Sequence, residues 1–230
     1  MRKAIYALTA ATLALGAAAS TQAQAAGELI QPGVYSESSV GGCTFNFVYD
    51  GVGAQAGKTY IGTAAHCVAE VGDQVTLGSG ELVGTVAHLG DENSTALDYA
   101  FVEVRSELLS RVRAAVKGYP SYPKGMTSPQ DTALGDTIQL SGYGVGYGAT
   151  ALTQEKRIAV MGYDDAAIHD VAGPIHFGDS GGPLVHAKSG KALGIVSRLC
   201  FGVCSEEGPT VAGLIAAAAE NGFTVQLRTV

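Results

Sequence analysis

Gly178-Asp179-Ser180-Gly181-Gly182-Pro183-Leu184 is the stretch on which the reading of this chain turns. A serine hydroxyl is a weak nucleophile until a neighbouring base takes its proton. Glycines around it allow a tight turn and the close approach of a second molecule. They also let backbone N–H groups converge on one point, where a developing oxyanion is stabilised. G-x-S-x-G alone is shared by unrelated proteins, and glycine-rich loops holding a serine are common. The full string is more restrictive, and it asks for a base and an acid elsewhere in the chain.

Thr63-Ala64-Ala65-His66-Cys67 offers the base. The histidine follows a strand-like run, beside a cysteine able to tether its loop, with small residues that leave room for the imidazole. Thr95-Ala96-Leu97-Asp98-Tyr99-Ala100-Phe101-Val102 offers the acid, at the mouth of an apolar run. A buried carboxylate there orients a histidine and stabilises its protonated form. His88, His169, His176 and His186 lack such neighbours and read as structural.

Working outward, the chain is a series of short β-rich runs separated by glycine-bearing turns. Thr44–Tyr49 reads as one strand, followed by Thr59–Thr63, Gln74–Leu77, Leu82–Ala87 and Tyr99–Val104. A polar connection with Pro120, Pro123 and Pro129 then looks like a crossing between halves. Strands resume at Thr137–Ser141, Arg157–Met161, Pro183–His186 and Ala192–Ser197. Val211–Glu220 is alanine-rich and stops at Asn221-Gly222, which predicts a short helix. Many short strands in two halves with one late helix favour an all-β fold of two paired antiparallel barrels.

The 230 residues suffice for one large domain or two small ones, and 47 % hydrophobic against 15 % charged residues can form a substantial core. Arg2 and Lys3, an apolar stretch from Ala4 to about Ala19, and Ala23-Gln24-Ala25 have the order of a secretory signal. Residues 1–25 are therefore expected to be removed, leaving an exported, extracellular protein with no membrane span. Their loss takes two cations and moves the formal charge from −7 to −9. No Lys/Arg cluster remains to track a phosphate backbone, so nucleic acid is not an expected partner. Four cysteines suit an oxidising compartment. Cys43 pairs naturally with Cys67 and Cys200 with Cys204, although three connectivities are open. No regular Cys/His spacing supports a metal, and no cofactor is expected.

The three segments T-A-A-H-C, L-D-Y-A-F-V and G-D-S-G-G-P-L, in that order, resemble the chymotrypsin-like serine peptidases, above all their secreted bacterial branch. The resemblance implies two six-stranded-type β-barrels with a cleft between them. It divides the chain into residues 26–115, carrying His66 and Asp98, and residues 116–230, carrying Ser180 and the terminal helix. It makes Ser180 the nucleophile, His66 the general base and Asp98 its orienting acid, with the backbone N–H groups of Gly178 and Ser180 as oxyanion hole. Cys43–Cys67 matches the family's bridge behind the histidine. The expected activity is hydrolysis of peptide bonds through an acyl-enzyme, by a monomer acting on proteins or peptides.

The α/β-hydrolases, which share G-x-S-x-G, order serine, acid, histidine. After Ser180 the only histidine is His186, and the only acids are Glu206, Glu207 and Glu220, so that reading fails. Two alternatives stay open: a catalytically silent binding protein on the same fold, and an ester-preferring acyl hydrolase. The expected specificity pocket (Pro174, His176, Ser197, Arg198 and Leu199) departs from the family pattern. Pro174 stands where an aspartate would select Lys or Arg, and Arg198 where an aromatic residue or glycine is common. An apolar or small side chain is the first expectation, an acidic one the second. Ser39-Val40-Gly41-Gly42 only partly echoes the family's activating terminus, so an internal cation, with Arg157 as candidate, is expected opposite Asp179.

Overall fold

A computed structural model describes residues 27–144, 155–199 and 206–230. The segment expected to be a signal and the expected Cys200–Cys204 bridge lie outside the described residues. The first sheet is built from β1 (Tyr35–Ser38), β2 (Gly41–Thr44), β3 (Val48–Gly51), β4 (Thr59–Thr63), β5 (Gln74–Leu77), β6 (Leu82–Leu89) and β7 (Ala100–Val104). The second holds β8 (Thr137–Ser141), β9 (Lys156–Asp164), β10 (Ile168–Ala172), β11 (Pro183–His186), β12 (Lys191–Ile195), β13 (Arg198–Leu199) and β14 (Glu206–Pro209). Helix α1 (Val211–Glu220) follows, and β15 (Val225–Leu227) returns to pair with β3 of the first sheet. All strand pairs within the sheets are antiparallel, in the orders β15-β3-β4-β7-β6-β5-β1-β2 and β12-β11-β8-β9-β10-β14-β13.

Each sheet curls over its own core. Phe45, Ile61, Leu77 and Val102 are fully buried in the first, and Ile138, Leu184 and Leu193 in the second. A third cluster joins them, with Phe47, Tyr49 and Phe101 meeting Val185, Ile195 and Leu214. The helix contributes Val211, Leu214 and Ala218, one stripe at helical spacing. Thr210 caps it by accepting the Gly213 N–H at 3.0 Å.

The Thr44–Tyr49 run is not one strand. Regular pairing ends at Thr44 and resumes at Val48, because Asn46 and Phe47 both bond the single residue Gly62 of β4, the Asn46 N–H donating to the Gly62 carbonyl at 2.8 Å and the Gly62 N–H donating to the Phe47 carbonyl at 3.0 Å. The Asn46 side-chain oxygen takes the Phe47 N–H at 2.8 Å and the Tyr49 hydroxyl at 3.1 Å, so a local bond replaces a ladder bond. Phe45 and Phe47 thereby enter different cores. Strands β1, β10, β13, β14 and β15, and β2 apart from Thr44, are absent from the sequence expectation. They are short and carry polar residues, so no hydrophobic period marks them.

Candidate active site

Tyr60, Ile61, Gly62 and Thr63 of β4 run antiparallel to β7, and the chain leaves β4 in a short 3-10 turn over Ala65–Cys67. The Cys43–Cys67 disulfide ties that turn to β2. His66 therefore leaves a rigid support with its side chain about one third exposed (33 %). Asp98 leads into β7 and is fully buried.

The two side chains meet closely. Asp98 Oδ1 accepts the His66 backbone N–H at 2.9 Å, and Oδ2 lies 2.7 Å from His66 Nδ1. The Ser197 hydroxyl also donates to Oδ2. A carboxylate only accepts, so Nδ1 carries the proton, and in the neutral imidazole that tautomer leaves the lone pair on Nε2. Burial pushes the Asp98 carboxyl up, but the His66 bond and charge, the Ser197 hydroxyl and the His66 N–H more than offset this and hold it below the usual aspartate range.

Ser180 comes from the other sheet, just before β11. Its loop is pinned across the interface by Thr44, whose N–H donates to the Ser180 carbonyl and whose hydroxyl donates to the Gly178 carbonyl, both at 2.8 Å. Gly178 has φ +97°, and a Cβ there would stand 2.7 Å from the Tyr143 carbonyl oxygen, so only glycine fits. Gly178 and Ser180 line the same cleft as His66 and Asp98. Among the described residues neither backbone N–H is taken by a hydrogen bond, and none joins Ser180 to His66.

Asp179 turns away from that cleft into a buried ion pair with Arg157, whose Nη1 lies 2.6 Å from Oδ2. The backbone N–H groups of Gly144 and His176 complete its shell at 2.8 Å each. The internal cation expected opposite Asp179 is in contact with it. Arg157 Nη1 also donates to the Pro174 carbonyl at 2.8 Å.

The cleft is about 780 Å³. Of the five expected pocket residues, His176, Ser197, Arg198 and Leu199 line it, whereas Pro174 lies outside its wall. Val40, Phe177 and Val196 add apolar surface. The Arg198 guanidinium donates to the Glu92 carbonyl, and both residues line the cleft. Cys43, His66 and Cys67 cluster tightly, but both cysteines are in the disulfide and hold no metal as such. Thr44 and Glu206 were not expected at the site. An interior threonine and one glutamate of the Glu206-Glu207 pair carry no local sequence signal.

Two curled antiparallel sheets, a cleft between them and one late helix make up the chymotrypsin fold. The chain belongs to the Trypsin family, whose sequence model matches residues 48–219. Its structure is similar to that of Thermobifida fusca Protease A (20 % identity, TM-score 0.58, covering 87 % of this chain and 99 % of that one). It is also similar to a glutamic acid-specific serine protease that uses a novel histidine triad in substrate binding (22 %, 0.59, 86 % and 100 %). Cellulomonas bogoriensis chymotrypsin is a third such structure (17 %, 0.59, 87 % and 100 %). At these identities the likeness concerns the fold alone. No curated protein matches the chain.

Proposed function

We propose that the chain is a secreted serine endopeptidase in which Ser180 attacks the substrate carbonyl, His66 takes and returns the proton, and Asp98 orients the imidazole. The observation that carries this is the buried Asp98 carboxylate held on both the Nδ1 and the backbone N–H of His66, in a cleft that also holds Ser180. Asp98 fixes the tautomer, so Nε2 faces the cleft as the base. Attack by Ser180 Oγ forms the tetrahedral adduct, and the backbone N–H groups of Gly178 and Ser180 receive its oxyanion. His66 then protonates the leaving amine, and water hydrolyses the acyl-enzyme by the same route.

This reading takes residues 26–115 and 116–230 as the two barrels, with β15 near the chain's end lent to the sheet of the first, and residues 1–25 as an export signal. Among the described residues no helix is long and apolar enough to cross a membrane. The apolar walls favour a small or apolar substrate side chain. The test is labelling with a serine-reactive phosphonate and profiling of a peptide library, with Ser180→Ala as control. An adduct on Ser180, and cleavage lost in the variant, are expected. Identical cleavage by both proteins would sink the assignment.

A further inference from the structure

Behind the cleft wall lies a second pair of titratable side chains. His169 on β10 and Glu206 on β14 are both 0 % exposed, with Nε2 and Oε2 3.2 Å apart. The other carboxylate oxygen of Glu206 accepts the Ser197 N–H at 2.8 Å. Ser197 in turn places its hydroxyl on Asp98 Oδ2, the oxygen that meets His66 Nδ1. A continuous chain of contacts thus runs from His169 through Glu206 and Ser197 to Asp98 and His66.

The arrangement is expensive for what a backbone bond requires. A buried carboxyl costs several kcal/mol unless its oxygens are satisfied. A neutral amide or a carbonyl would satisfy the Ser197 N–H without that cost. The surroundings are shaped for the pair: a Cβ on Gly194 would stand 2.3 Å from His169 Nδ1. Both oxygens of Glu206 are engaged, one by each partner, so the carboxyl plane is held at two points. Ser197 is the single residue between β12 and the start of β13, apart from Val196, and its hydroxyl must sit on Asp98 without a helix or ladder to hold it.

We propose that Glu206, oriented by His169, is a positioning residue that clamps the Ser197 backbone and so keeps the Ser197 hydroxyl on Asp98. The proposal rests on the reading of Asp98 and His66 as parts of the proton relay. Glu206 touches neither substrate nor reacting atoms. It acts through Ser197, and its effect vanishes when the Ser197 hydroxyl is absent.

That condition defines the test. Glu206→Leu, which removes the acceptor, and Glu206→Gln, which keeps an oxygen for the Ser197 N–H, are made in wild type and in Ser197→Ala, and kcat and KM are measured per reactive Ser180. Glu206→Leu should lower kcat about tenfold to a hundredfold with little change in KM, as expected for a misplaced group. Glu206→Gln should recover most of it. In the Ser197→Ala background Glu206→Leu should cost less than about twofold, because interacting residues are non-additive. Multiplying effects would overturn the proposal. If Glu206→Leu does not fold, His169→Leu is taken through the same cycle with the same expectation. The downfield proton resonance of His66 Nδ1–H reads the Asp98 bond independently of turnover. It should shift in the Glu206 or His169 leucine variant and not shift further in the Ser197→Ala background; an unmoved resonance overturns the clamp even if the protein hydrolyses no peptide. A wild type that neither turns over peptide nor labels at Ser180, while the leucine variant still shifts the resonance, defeats the peptidase reading and leaves the clamp standing.

Discussion

Arg157 and Asp179 form a fully buried two-pronged ion pair, next in sequence to the proposed nucleophile Ser180. Removing one partner strands the other charge in the interior. Arg157→Met should therefore lose about 3–5 kcal/mol of stability in urea unfolding. Because an internal guanidinium already neutralises Asp179, acetylating the amino terminus should leave Ser180 labelling unchanged. A strong fall in labelling after acetylation would show that a terminal amine is needed after all.

Asp98 sets the tautomer of His66. Asp98→Asn should reduce kcat by about 10⁴ while the fold survives. The folded-state carboxyl of Asp98 lies below its ordinary value. Its contribution to stability is thus full above the unfolded aspartate pKa and is lost as pH falls through the folded one. Acid unfolding curves of wild type and Asp98→Asn should converge at low pH; curves that stay parallel would contradict the assigned shift.

Glu206 behaves in the opposite sense. Burial, its largest influence, raises its carboxyl above the usual range despite His169 and the Ser197 N–H. Between the unfolded and folded values the native state holds a proton that the unfolded chain has lost, so stability declines as pH rises. Melting temperatures of Glu206→Gln should lack this decline. Identical pH profiles for the two proteins would count against a raised folded-state value.

The Cys43–Cys67 bridge joins residues 24 apart in sequence. By loop-closure entropy it contributes about 3.5 kcal/mol. The double variant Cys43→Ala/Cys67→Ala should unfold at correspondingly lower denaturant. Since the bridge also anchors the turn bearing His66, kcat should fall in protein that is still folded, as read from Ser180-normalised turnover.

Arg198 is held by the Glu92 carbonyl rather than left open to substrate. Peptide-library profiles should favour small or apolar side chains and keep that order in Arg198→Ala. Turnover of acidic peptides should change by no more than about threefold, the scale of an exposed charge contact. A marked acidic preference that disappears in Arg198→Ala would reverse this assignment.

Much of this architecture was legible in residues 44–220. The helix was marked by its alanine content and the Asn221-Gly222 stop, and both act locally. Other features were legible only in part. In β9, alternation alone favours Ile158 and Val160 as the inward set, yet both are exposed (60 % and 47 %) while Arg157, Ala159 and Met161 face the core. The reason is Asp179: a buried acid needs a cation, and that requirement overrides the apolar period of one strand. The Thr44–Tyr49 run is broken for a related reason, since Asn46 and Phe47 both bond Gly62 of β4 and the Asn46 side chain takes the Phe47 N–H that the ladder leaves over.

The sequence by itself determined which residues were candidates for chemistry, because the candidate nucleophile, base and acid stand in short strings whose neighbours mark them. It also determined the strand-rich class and the terminal helix, which depend on local propensity and period. Apart from naming Arg157 as a candidate for Asp179, it left open who meets whom, and the tertiary structure decided that. Arg157 finds Asp179 across 22 residues, His169 finds Glu206 across 37, and Arg198 finds Glu92 across 106. Such pairings are set by strand register and by the face each side chain takes, and no stretch of sequence carries either quantity alone.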